Sequence, residues 1–94
     1  MPTANTLPEN ARKDAVARLQ RIEGQVRGIQ KMLETDRECV QIIDQLAAVK
    51  AAVNTLNASM FETIALHCLR HQDDLDSPEE TIEQVARLLV RAGK

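Results

Sequence analysis

The stretch from Glu38 to Cys68, ECVQIIDQLAAVKAAVNTLNASMFETIALHC, decides how this chain folds. It contains neither glycine nor proline, and its apolar residues recur in steps of three and four. Cys39, Ile42, Leu46, Val49, Val53, Leu56, Met60, Ile64 and Cys68 therefore share one stripe of a single amphipathic helix. That helix is long for a chain of 94 residues. It also carries the only two cysteines, one at each end.

Upstream, the ETDRE segment breaks the pattern, with Asp36 as the expected N-cap and Arg37, Glu38 and Cys39 as the first helical turn. Before it, Ala15, Leu19, Ile22, Val26, Ile29 and Leu33 predict a first amphipathic helix beginning at Ala11. Gly24 and Gly28 interrupt that helix without ending it. The polar residues 1–10, with Pro2 and Pro8, read as a flexible N-terminal arm. Downstream, QDDLDSPEE marks a second break, where Ser77, Pro78 and Glu80 make a capping-box start. A third helix then runs from Pro78 to about Ala92, with Ile82, Val85, Leu88 and Leu89 inward and Gly93 closing it. The expected fold is all-α, three helices in one domain over residues 11–94.

The totals agree. Phe61 is the only aromatic residue, and aliphatic side chains supply the apolar content, which favours helix packed on helix. So small a domain gains much by burying its faces against copies of itself. The net charge of −2 is not that of a typical nucleic-acid binder. Residues 1–50 carry eight Lys/Arg against seven Asp/Glu, and residues 51–94 four against seven, a mild asymmetry. No apolar run approaches a membrane span and no signal-peptide pattern precedes the fold, so the chain reads as cytoplasmic. Thiols stay reduced there, and a pair of them is as readily plain buried filler as a redox or metal site.

Geometry weighs against filler. The cysteines stand 29 positions apart, which is roughly 43 Å along an intact helix. A disulfide needs Cα atoms within about 7 Å. Around the axis, however, the two lie only about 20° apart. Two copies of the helix packed antiparallel bring Cys39 of one chain beside Cys68 of the other, and a two-fold axis repeats the pairing. The helix start favours negative charge on the Cys39 sulfur, with Arg37 helping and Glu38 opposing. Cys39 is therefore the expected attacking thiol and Cys68 the resolving one.

RLQRIEGQVRGIQKMLE followed by ECVQIIDQLAAVKAAVN closely resembles the CsoR/RcnR family of small helical bacterial repressors, from about Arg18 through Cys68. The resemblance implies a dimer of antiparallel-helix dimers, a tetramer that binds operator DNA without a helix-turn-helix. It also implies an inducer, read at an intersubunit site, that releases the DNA, and a protein that is not an enzyme. Copper-sensing members resemble this chain at Cys39 and Cys68 but carry histidine at position 64, where this chain has Ile64. Nickel and cobalt sensors carry histidine in place of the last cysteine. The bare dithiol is similar to the CstR-type persulfide sensors, which implies reactive sulfur species as inducer, di-, tri- or tetrasulfide links between protomers and no cofactor.

Rival readings are Cu(I) held by Cys39 and Cys68, with His71 as a third ligand, because soft thiolates select that metal. A formaldehyde sensor using Pro2 and Cys39 is a lesser one. A helical oligomerisation module without DNA contact belongs to another class, and a thiol-disulfide enzyme is disfavoured because CxxC is absent. For DNA the expected residues are Arg18 and Arg21, then Arg27, Lys31 and Lys50. Family members often place a further basic residue where this chain has Thr55.

Overall fold

The computed structural model describes residues 3–71 and 78–93. Three α-helices follow a short 3-10 turn at Ala4–Thr6: α1 spans Glu9–Glu34, α2 Cys39–Arg70 and α3 Pro78–Ala92. The expected N-terminal arm thus carries local structure, and Glu9 and Asn10 already belong to α1. Leu7, within the arm, is buried. The Ser77 cap expected for α3 lies outside the described residues, as does Pro2.

The break between α1 and α2 differs from expectation. Asp36 is not the N-cap of α2. It adopts φ 59°, the left-handed region, and closes α1 instead. The Arg37 amide donates to the Met32 carbonyl at 3.2 Å and the Thr35 amide to Lys31 at 3.0 Å, the pattern of a Schellman-type helix end. A short polar side chain tolerates that backbone better than most non-glycine residues. The chain then turns through Glu38, whose carbonyl accepts from the amides of Gln41 and Ile42 at 3.1 and 3.3 Å. Cys39 is consequently the first residue of α2 rather than the third of its opening turn.

The chain falls into two compact units, Lys13–Leu56 and Met1–Arg12 with Asn57–Lys94. In the first, α1 and the leading half of α2 form an antiparallel hairpin. Arg21 lines a common cavity with Ala52, while Met32 lines another with Gln41. In the second, the trailing half of α2 runs antiparallel to α3. The Asn57 side-chain amide donates to the Ala92 carbonyl at 3.2 Å, and Cys68 meets Gln84 nearer the turn.

Each helix is apolar over a wider arc than its neighbour covers. On α1, Ile29 is buried and Ala15 and Ile22 half-buried, whereas Leu19, Val26 and Leu33 from the same expected stripe are exposed. On α2, Leu56 and Cys68 are buried, but Leu46 and Val53 are exposed, as is Cys39. On α3 the inward positions are Thr81, Gln84, Val85 and Leu88, while Ile82 and Leu89 face solvent, contrary to expectation. Among the described residues, thirteen large apolar side chains remain exposed, against five buried hydrophobic residues. Val40 at 69 % and Ile43 at 63 % exposure, with Leu46 and Val53, leave a broad apolar arc of α2 uncovered. No described helix is long and apolar enough to cross a membrane.

Candidate functional site

The two thiols occupy opposite environments. Cys39 is exposed at the first turn of α2, where helix N–H groups lack intrahelical partners. Cys68 is 3 % exposed, in the trailing half of the same helix, covered by α3. Its Sγ–H points to the Gln84 Oε1 at 3.9 Å, a long sulfur hydrogen bond across the helix pair. Both thiols are free, and the helix between them is unbroken, so they cannot bond to each other within one chain.

Ile64 sits half-buried one turn before Cys68 and offers no ligand atom there. His71 turns elsewhere. Its Nδ1 lies 3.0 Å from the His67 carbonyl, and its ring stacks on that of His67 at 4.1 Å between centroids. Among the described residues, no group of three His, Cys, Asp or Glu side chains is gathered closely enough to hold a metal ion.

The basic residues named from the sequence all fall in the Lys13–Leu56 unit. Arg18 and Arg21 line an open cavity of about 640 Å³ with Asp14, Ile22, Gln25, Ala52 and Thr55. The Arg18 Nε pairs with Asp14 at 3.0 Å, one turn earlier on α1. Arg27 pairs with Glu23 at 3.6 Å. Lys31 lines a second cavity of about 660 Å³ with Arg37 and Asp44, and Lys50 is exposed. Thr55 donates its hydroxyl to the Ala51 carbonyl at 3.0 Å and brings no charge to the first cavity. The structure thus places Arg18 and Arg21 side by side and leaves the other three cations dispersed.

Sequence reasoning did not find Gln84 or Asp14. The signal for Gln84 was a polar residue at an inward-facing step of α3. For Asp14 it was a carboxylate four residues before an arginine on a helix.

A family described as metal-sensitive transcriptional repressor matches residues 11–91. The copper-sensing transcriptional repressor CsoR of Bacillus subtilis is 43 % identical over 74 residues, covering 78 % of this chain and 73 % of that protein. The transcriptional repressor RcnR of Salmonella typhimurium is 33 % identical over 73 residues, covering 78 % and 81 %. The crystal structure of the copper-sensing repressor CsoR with Cu(I) from Geobacillus thermodenitrificans superposes with a TM-score of 0.79 at 31 % identity, covering all of this chain and 94 % of that one.

Proposed function

The chain belongs to the family of metal-sensitive transcriptional repressors, and on that premise we propose that it is a Cu(I)-responsive, oligomeric repressor of operator DNA. Cys39 of one protomer and Cys68 of another hold the inducer between them. A single observation carries the reading: an exposed and a buried thiol stand at opposite ends of one helix whose outer apolar row is uncovered. Two copies packed antiparallel along that row cover it and bring unlike thiols together. Two such dimers form the tetramer that the family likeness implies, and a repressor of this kind works in the cytoplasm.

The donor set fits the ion. Cu(I), when bound, would find in the two thiolates the soft donors that select it. Ile64 offers no nitrogen donor one turn from Cys68. His71, engaged with His67, is not needed. Arg18 and Arg21 approach DNA phosphates from one cavity rim, with Arg27, Lys31 and Lys50 adding weaker field. Asp14 neutralises part of Arg18 in the free protein.

Ile64 also favours a second reading, a persulfide sensor. The Cys39 thiolate would attack the sulfane sulfur of an organic persulfide, releasing its thiolate and gaining an S–SH group. The Cys68 thiolate of the other protomer would then displace hydrosulfide and form a disulfide. Pro2 and formaldehyde find no comparable support.

Fluorescence anisotropy of labelled operator DNA, with Cu(I) and an organic persulfide added separately, tests the choice. Stoichiometric Cu(I) should release the DNA and leave monomeric chains on a denaturing gel. Release by persulfide alone, with crosslinked dimers that reductant cleaves, would replace copper by sulfur. Release by neither would remove the dithiol from the mechanism.

A further inference from the structure

Thr81 is the most deeply buried side chain described, at 1 % exposure, and its Oγ1 has no hydrogen-bond partner. Buried hydroxyls are almost always paired, so an orphan needs a physical account. Its position supplies one. Asn57 of α2 meets Ala92 of α3, and the helices run antiparallel. Counting eleven residues forward from Asn57 reaches Cys68, and eleven back from Ala92 reaches Thr81. At equal rise per residue the orphan hydroxyl stands level with the buried thiol. Gln84, one turn further along the same inward face, already meets Cys68.

We propose that Thr81 is the positioning residue for the Cys68 sulfur once that sulfur is ligated. This rests on the reading of Cys68 as an inducer-binding thiol. In the free protein the Cys68 S–H donates to the Gln84 Oε1 and leaves Thr81 idle. When the sulfur bonds to a thiophilic ion it loses its hydrogen and can only accept. The Gln84 oxygen then faces a sulfur with nothing to donate, and Gln84 must give up its present orientation and turn its amide to offer an N–H instead. The Thr81 hydroxyl has no bond to give up before donating to the sulfur. The same hydroxyl that destabilises the free state thus stabilises the ligated one.

Full-length protein carrying Cys39→Ser isolates Cys68, and methylmercury hydroxide is the probe, so that the outcome does not depend on copper being the inducer. The S–Hg bond forms as the thiol hydrogen and the hydroxide leave together as water. Affinity is read at fixed pH by competition with free cysteine, and melting temperature is read with and without mercury. Thr81→Val should melt no lower than the parent when free, bind methylmercury about tenfold more weakly, and gain less in melting temperature on binding. Thr81→Ser should restore the parent affinity. Unchanged affinity in Thr81→Val overturns the proposal. So does a lowered melting temperature of the free Val variant, because the hydroxyl would then not be idle in that state. A parent that takes methylmercury while wild-type protein ignores Cu(I) would overturn copper and leave Thr81 in its role.

Discussion

The two ends of α2 share a helix and differ in nearly everything else. At its leading end the Lys13–Leu56 unit carries seven Lys/Arg against six Asp/Glu, with Cys39 open to solvent and Arg18 and Arg21 on one cavity rim. At its trailing end the other unit carries five against eight, and Cys68 is sealed beneath α3. One end leaves its thiol open to a reagent arriving from water. The other suits an atom that must be shielded and held. The lesson is that chemically identical thiols on one stripe take their roles from what packs over them.

The largest effect should follow from removing either thiol. Cys39→Ser and Cys68→Ser should each abolish inducer-driven DNA release, reducing the response at least about 100-fold, since the proposed site requires both soft donors. Equal, partial responses in both would merge the two ends into independent sites. Next, Arg18→Ala with Arg21→Ala should weaken operator binding by about 100-fold at low salt. The salt slope, measured by anisotropy across an ionic-strength series, should fall by about two. An unchanged slope would move the DNA face off this cavity.

Access to the thiols should differ as well. With the protein folded, iodoacetamide followed by peptide mass mapping should modify Cys39 at least about tenfold faster than Cys68, because attack requires exposure. Cys68 reacting first would reverse the contrast. In urea unfolding, Cys68→Ala should cost about 1 kcal/mol as a small buried deletion, and Cys39→Ala less than about 0.5 kcal/mol at an exposed site. The smallest effect lies between the helices. Asp36→Gly should raise stability by about 0.5 kcal/mol, because glycine adopts the left-handed cap without its Cβ strain. A loss there would mean the Asp36 side chain contributes more than its backbone costs.

Helix number and type were legible from periodicity and from the breaks at ETDRE and QDDLDSPEE, since 3.6-residue repetition is a local property of the chain. The end of α1 was misread because an Asp before a helix resembles an N-cap, and only its φ of 59° shows that it caps the preceding helix. The stripes were right as apolar arcs, and only on α3, where Ile82 and Leu89 are expected inward, does the covered face within the chain differ from the reading. Leu19, Val26, Leu46, Val53, Ile82 and Leu89 lie on them and remain exposed, because one neighbouring helix covers less than the arc. Thr81 and Gln84 escaped notice for the opposite reason, polar residues standing at covered positions.

From residue order alone follow three amphipathic helices, two thiols too far apart along one of them to meet, and the family likeness carried by RIEGQVRGI and QLAAVKAA. These depend on spacing, which the chain carries within itself. Tertiary structure alone assigns an open sulfur to one end and a sealed one to the other. It also sets Gln84 of α3 against Cys68 and leaves the buried Thr81 hydroxyl without a partner. Those facts depend on which residues α1 and α3 bring across from distant parts of the chain, and periodicity along a single helix carries no record of its neighbour's register.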